Sequence, residues 1–157
     1  MLVEVVIALG IIAFALISVY SLLPAGLGSM REAEENAAAT ALLEELASAI
    51  GNARAVEGVY TATGVYSGMS WSYNGALVEH EFENLSLAGT PVPATATSPG
   101  RLKARVELTP PSPASPAGNA LIAVAWPVTA EWDPDAKRWT GQQGALYSRI
   151  IFIPRES

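Results

Sequence analysis

Residues 1–23 read MLVEVVIALGIIAFALISVYSLL, and this stretch decides the fold because it carries a single charged side chain, Glu4. The run that follows, residues 5–23, is 19 residues long and has only hydroxyl side chains as polar groups. A transmembrane helix needs about 20 apolar residues at a rise of about 1.5 Å each. The stretch is therefore long enough to span a membrane as a helix.

Two features favour a retained helix over a cleaved secretory signal. A secretory signal begins with basic residues and ends at a small-residue cleavage site, whereas the first basic residue of this chain is Arg31. The second feature is Glu4, because an ionisable group in an apolar segment costs a few kcal/mol and marks a function by default. The candidate partners for this carboxylate are a chain terminus and a neighbouring subunit.

The same stretch resembles the amino-terminal segment of the type IV pilin and type II secretion pseudopilin superfamily. Residues 2–6, LVEVV, fit its aliphatic, aliphatic, Glu, aliphatic, aliphatic core, and residues 8–12, ALGII, continue it. The resemblance covers about the first 30 residues. A weaker one, from Trp126-Pro127 onward, is to minor subunits of the V or I type. The subfamily that this chain resembles is that of the Verru_Chthon cassette pilin-like proteins.

The resemblance implies a role in filament assembly. Precursors of the superfamily carry a short basic leader ending in Gly, which a prepilin peptidase cuts before it methylates the new amine. Met1 stands one place too close to Glu4 for the mature terminus, so we expect the native reading frame to continue upstream through such a leader. Glu4 would then pair with the amino terminus of the adjoining subunit in the growing filament. The alternative is an anchor whose Glu4 lies in the membrane interface.

The resemblance also places the chain. It implies a single-pass protein of the inner membrane, with the head on the periplasmic or outer side, assembled with other pilin or pseudopilin subunits. The residues that would form the membrane or filament core are Leu2, Val3, Val5, Val6, Ile7, Leu9, Ile11, Ile12, Phe14 and Leu16. Whether the machine serves secretion, adhesion or DNA uptake stays open, because all three share these residues.

A second helical segment follows the apolar run. Pro24, Gly26 and Gly28 predict a kink or local melting, and Ser29 is a candidate N-cap for a restarting helix. Residues 29–55 then show an amphipathic pattern, with glutamates in the first turns, where the helix dipole favours negative charge. The apolar face comprises Leu42, Leu43, Leu46, Ala49, Ile50 and Ala53. We therefore divide the chain into a half-helix at 1–28 and a globular head at 29–157.

The rest of the head, residues 59–157, has the composition of a β-sheet. Candidate strands are 68–78, with Asn74-Gly75 as a hairpin turn, and 101–108, 119–126 and 145–153. Residues 120–126, ALIAVAW, are apolar on both faces, which predicts a central strand covered on one side by the helix. Two proline-rich segments, 90–99 and 109–118, predict exposed loops. The predicted fold is α+β and pilin-like: a long bent helix packed on a roughly four-stranded antiparallel sheet.

Composition limits the possible functions. The chain has 157 residues, a net charge of −6 and no cysteine, so it has room for one small head and lacks the basic field that nucleic acid binding needs. We found no sequence motif for phosphate binding, zinc proteolysis or a nucleophile elbow, and we predict neither enzymatic activity nor a cofactor.

Three weaker ligand hypotheses concern the head. The single histidine, His80, follows one glutamate and precedes two more in VEHEFEN, but on a strand it shares a face with Phe82 and the glutamates take the other. Asp133 and Asp135 are calcium candidates, although a salt-bridged turn with Lys137 and Arg138 is the simpler reading. The aromatic residues Trp71, Tyr73, Trp126, Trp132 and Trp139 favour a core or a subunit interface over a ligand platform.

Two further classes of function stay open at this point. A membrane-tethered binding module would use the aromatic side chains or proline-rich loops of the head to hold a partner. A tethered hydrolase would need a pocket that joins His80 to Ser and Asp side chains, and the spacing of these residues does not support one.

Overall fold

The structure is a computed structural model that describes residues 2–56, 58–66, 68–72, 75–93 and 100–153. Its first element is α1, a single α-helix over Leu2–Gly51. Two compact units share the chain, Met1–Glu34 and Glu35–Ser157, and the division falls inside α1.

Helix α1 differs from the prediction in one respect. It continues through Pro24, Gly26 and Gly28 without local melting, so Ser29 is not an N-cap and the amphipathic segment has no start of its own. A proline removes one backbone donor, and the helical segments on either side hold the helix through that loss. The predicted kink at these residues stays a prediction. The helix ends at Gly51 and not at residue 55, because residues 54–56 enter a strand.

In the described part of the chain, nine strands and one short 3-10 helix follow α1. Their bounds are β1 Arg54–Val56, β2 Val59–Thr61, a 3-10 helix Gly64–Tyr66, β3 Ser70–Ser72, β4 Val78–Leu85, β5 Leu102–Thr109, β6 Gly118–Trp126, β7 Glu131–Asp133, β8 Arg138–Thr140 and β9 Gly144–Phe152. Among the described residues they form a three-stranded sheet β1-β2-β3, a four-stranded sheet β4-β5-β6-β9 and the two-stranded ribbon β7-β8.

The four-stranded sheet is antiparallel throughout and supports the α+β assignment. Strand β6 lies between β5 and β9, as its apolar sequence predicted. In β5 the apolar residues alternate with charged ones, and Leu102, Ala104, Val106 and Leu108 are all buried. The predicted strands 101–108, 119–126 and 145–153 each agree with the structure to within one residue at either end.

The predicted hairpin over residues 68–78 is wrong. Strand β3 pairs with β2, whereas β4 pairs with β5 in the other sheet. Gly75 donates its backbone N–H to the Ser72 carbonyl at 3.0 Å, so the chain does turn here. Tyr73 and Asn74 lie outside the described residues, as do residues 94–99 of the first proline-rich loop. The second such loop joins β5 to β6 between Thr109 and Gly118.

The core of the head lies between α1 and one face of this sheet, which we call the inner face. The predicted apolar helix face is confirmed, since Leu42, Leu46, Ala49, Ile50 and Ala53 are buried and Leu43 is partly buried against them. The three-stranded sheet adds Tyr60 and Trp71 to the same core. Burial of large aliphatic side chains contributes about 1.5–3 kcal/mol each, so this contact dominates the stability of the head.

Strand β6 is buried on its second face as well, and the sequence did not predict what covers it. The β7-β8 ribbon folds over the outer face of the sheet, where Trp139 packs with Ala123, Ala125 and Ala130. Trp132 contacts Trp139 edge to face with ring centroids 5.2 Å apart. The small alanines of β6 leave room for these two indoles. The segment between Trp126-Pro127 and β9 therefore contains this ribbon.

Candidate functional site

The first candidate site is the amino-terminal part of α1. Every described side chain from residue 3 to residue 34 is exposed, and the apolar side chains continue past residue 16 to Leu22, Leu23, Leu27 and Met30. A helix with this exposure is long and apolar enough to cross a membrane near the amino terminus. At about 1.5 Å a residue, residues 5–23 alone extend about 28 Å, close to the thickness of a hydrocarbon core.

The few polar groups of this segment fit an apolar surrounding. The Ser18 hydroxyl donates to the Phe14 carbonyl at 2.9 Å, and the Ser21 hydroxyl donates to the Ser18 carbonyl at 2.8 Å. Such bonds satisfy a hydroxyl within its own helix, as lipid requires. Glu4 lies in the first turn of α1, where its charge faces the positive end of the helix dipole. It is an exposed carboxylate in a segment that is otherwise apolar.

The second candidate site is the outer face of the four-stranded sheet. On β4 the glutamates 79, 81 and 83 point to this face, while His80 and Phe82 are half-buried on the other, as the strand period predicted. Strand β5 sets Lys103 and Arg105 opposite these glutamates. The sequence analysis did not predict that β4 and β5 pair. The available signal was the charge pattern, because acidic residues recur at every second position of β4 and basic residues do so on β5.

Arg105 is the centre of this charged face. Its guanidinium lies 2.5 Å from Glu79, 3.5 Å from Glu81 and 3.3 Å from Glu107, and it stacks over Trp132 at 5.3 Å. A planar guanidinium has five N–H donors and can stack on an aromatic ring, so Arg105 contacts several carboxylates and an indole at once.

Lys103 holds the next position on β5. Its ammonium lies 3.1 Å from Glu81 and 3.2 Å from Glu83 and stands 5.7 Å from the Trp139 ring centroid. Burial alone would lower the pKa of Lys103, but hydrogen bonds to these two glutamates and their charges raise the pKa above its usual value. The lysine therefore stays charged, and the ribbon is held to the sheet by both cations.

Glu107 is the most buried acid of this face and also pairs with Lys137 at 2.8 Å. Lys137 therefore pairs with strand β5 and not with an aspartate of its own turn. The turn between β7 and β8, for which the sequence predicts a salt bridge, is held instead by Asp133. The Asp133 carboxylate accepts the backbone N–H groups of Asp135 and Ala136 at 3.0 and 2.9 Å. Within the described residues no group of three or more acidic, His or Cys side chains is arranged to hold a metal ion.

A cleft of about 320 Å³ opens on this face beside the turn of the ribbon. Glu107, Lys137, Asn119 and Arg149 supply its polar wall, and Leu77 and Leu121 supply its apolar wall. His80 lies on the opposite face of β4, so the cleft has no histidine and no arrangement typical of a hydrolase among the residues that line it. Burial lowers the pKa of His80 and keeps its imidazole neutral.

The aromatic residues are distributed between the two cores. Trp71 contacts Phe152 edge to face at 5.5 Å and stacks with Tyr60 at 6.0 Å inside the main core. Trp126 is buried in the same core, while Trp132 and Trp139 belong to the ribbon. The four tryptophans therefore build the interior, and a shared ligand platform is not formed.

Glu35 occupies a position that the sequence analysis interpreted differently. It is buried within α1 and forms an ion pair with Arg101, which directly precedes β5. In the sequence, Glu35 is one of the glutamates in the first turns of the predicted helix at residues 29–55, where the helix dipole would stabilise its charge. Since α1 has no start there, the guanidinium of Arg101 takes that role.

Comparisons with protein-family models, with curated proteins and with solved structures found no match. The resemblance of the first residues to pilins is therefore a hypothesis that rests on those residues.

Proposed function

We propose that this chain is a minor pilin or pseudopilin subunit of a type IV pilus or type II secretion-like filament, which acts in assembly, priming or tip formation. One observation carries the proposal: a single helix, α1, joins an exposed apolar segment containing Glu4 to an amphipathic segment buried on an antiparallel sheet. A membrane anchor alone needs no charge in its first turn, and a soluble domain needs no exposed apolar helix.

In this proposal the two ends of α1 have separate tasks. The first end anchors the subunit in the inner membrane and later packs against the same segment of other subunits in the filament. Glu4 pairs with the amino terminus of the adjoining subunit, which offsets the cost of a carboxylate in an apolar surrounding and fixes the axial position of the two helices. The head supplies a surface for partner subunits and performs no catalysis.

The test is Glu4→Ala in the full chain, produced together with its partner subunits in the native host. We expect the variant to insert in the membrane normally but to be lost from sheared filaments, because the carboxylate has no role in insertion. Quantitative immunoblotting of membrane and filament fractions measures both. Glu32→Ala is the matched control, since it removes an exposed carboxylate from the same helix outside the apolar run.

Normal entry of Glu4→Ala into filaments would contradict the proposed mechanism. The second candidate, a membrane-tethered binding module, would then be favoured by the cleft beside Lys137 and Arg149. That function predicts loss of partner binding on substitution of the cleft residues and no effect of Glu4.

A further inference from the structure

The two outer strands of the four-stranded sheet, β4 and β9, both have a free edge among the described residues. On β4 this free edge covers residues 78–83, because Val92 donates its backbone N–H to the Asn84 carbonyl and closes the remainder. Strand β9 is nine residues long and has Arg149 as its only charged residue. A long edge with a single charged residue, such as that of β9, invites pairing with another strand.

The number of strands determines how copies of this head can join. Because the sheet has four strands in strict antiparallel order, β4 and β9 run in opposite directions. A second head in the same orientation therefore offers β4 antiparallel to the first head's β9. All copies keep one strand direction, as chains anchored in the same membrane would.

The side chains select one register for this pairing. If the cross-strand rows of the sheet continue straight into the next copy, Arg149 lies opposite Glu79, because Glu79, Glu107, Leu121 and Arg149 already form one row. Arg149 is exposed and has no ion-pair partner among the described residues. Opposite charges at facing positions on antiparallel strands stabilise the pair.

The neighbouring rows match as well. The register sets exposed Ile151 opposite exposed Leu77, which are 74% and 51% accessible. On the inner face it sets Ile150 opposite Val78 and Leu146 opposite Phe82, and all four side chains are half-buried. Joining the edges would remove these apolar side chains from water.

The middle row of the inner face is polar on both strands. It sets Ser148 opposite His80, whose Nε2 is buried without a hydrogen-bond partner in the described part of the head. The five rows named above therefore bring together side chains of compatible chemistry, and a shift by one residue would set charged side chains against the apolar face.

We propose that this chain associates with a second copy of itself by extending the four-stranded sheet, with β9 of one head pairing antiparallel with β4 of the next in the register that sets Arg149 opposite Glu79. The contact is head to tail, so it repeats from copy to copy. It deepens the proposed assembly function by naming a contact between heads, and it is independent of Glu4.

Cysteine cross-linking tests the proposal, because the chain contains no cysteine. Leu77→Cys and Ile151→Cys are placed in separate full-length chains with different tags, reconstituted together in lipid vesicles and treated with a short bis-maleimide. We expect a cross-linked dimer that contains both tags. A chain with both substitutions should give a ladder of multimers. Val59→Cys, an exposed position on β2, replaces Ile151→Cys as the matched control and should give background yield.

Charge reversal tests the register. Arg149→Glu in the doubly substituted chain should lower the ladder by about fivefold, since an attraction becomes a repulsion. Far-ultraviolet circular dichroism of the same sample shows whether the head is folded.

Several results would overturn the proposal. Yield at the level of the Val59→Cys control would exclude the contact, and efficient dimerisation of Ile151→Cys alone would indicate pairing of β9 with β9. A ladder that persists in Glu4→Ala supports sheet extension even if the role of Glu4 fails. No ladder, together with loss of filament entry in Glu4→Ala, refutes sheet extension and leaves the proposed function standing.

Discussion

At the scale of single residues, the sequence was informative where a side chain acts by its own chemistry. The position of Glu4 in an apolar helix and the shared face of His80 and Phe82 on β4 follow from hydropathy and strand period alone. The ion pair of Glu35 with Arg101 could not be predicted, because its partners are 66 residues apart and only the tertiary fold brings them together. The carboxylates around Arg105 left a partial signal, because opposite charges recur at a period of two on β4 and β5, but the sequence alone does not show that these strands pair.

Tyr66 gives a prediction at this scale. Its hydroxyl donates to the Gly89 carbonyl at 3.3 Å inside the core, and burial together with the charge of Glu45 raises the pKa of Tyr66 to about 12. Unfolded tyrosine ionises near pH 10, so the unfolded state loses this proton first as the pH rises. The contribution of Tyr66 is thus complete below about pH 10 and is lost as the pH rises through about 12.

The measurement is denaturant unfolding of the full chain in detergent at several pH values from 8 to 12. Between these limits the wild type should lose about 1 kcal/mol more than Tyr66→Phe, after allowance for solvent screening. Identical pH profiles for the two proteins would mean that Tyr66 ionises as readily in the folded state as in the unfolded one.

At the scale of elements, the clear periodic segments were predictable and the short ones were not. Strands β5, β6 and β9 carry enough apolar residues to be recognised as strands from the sequence. Three-residue strands such as β1 and β7 do not. The Asn74-Gly75 signal led to a wrong hairpin, because local turn chemistry cannot reveal that the two flanking strands belong to different sheets. The absence of local melting at Pro24 has a related cause, since the helical segments on either side outweigh one lost hydrogen bond.

Gly144 gives a prediction for the ladder between β6 and β9. It faces Trp126, and a Cβ atom built at Gly144 would lie 2.1 Å from the indole ring. Gly144→Ala should therefore lower the free energy of unfolding by roughly 1–3 kcal/mol, since the buried ring of Trp126 would have to move.

Thermal or denaturant unfolding measures this loss. Gly68→Ala is the matched control, because a Cβ atom there meets no other atom within 4 Å and its φ is not positive. Equal stability of the two variants would show that Trp126 moves aside without cost.

At the scale of the whole molecule, the sequence analysis placed the boundary of the apolar half-helix at residue 28, and the structure divides the chain after Glu34. The α+β class and the four-stranded antiparallel sheet were predictable from hydropathy and alternation. The two-sided burial of β6 was predictable too, but its second cover was not, since nothing in the sequence of the ribbon indicates which face it folds upon.

The fragment of residues 29–157 gives a prediction at this scale. Every buried apolar side chain described in the head lies at or beyond Ala39, whereas the exposed apolar side chains of α1 end at Met30. The fragment should therefore be soluble and unfold cooperatively, as size-exclusion chromatography and a circular dichroism melt would show. A fragment of residues 52–157 is the control and should not fold, because it lacks Leu42, Leu46 and Ile50. Aggregation of the longer fragment would contradict the assignment of the head.

The edge-to-face pair of Trp132 and Trp139 has a practical consequence. The two indole rings lie 5.2 Å apart, so they are coupled chromophores. The Arg105 guanidinium lies over Trp132 and the Lys103 ammonium lies near Trp139, so both rings experience the electric field of a cation. Their near-ultraviolet dichroism and emission wavelength report whether the ribbon is seated on the sheet. The pair is therefore an intrinsic optical probe of the outer face. A partner that displaces the ribbon should change this spectrum without any added label.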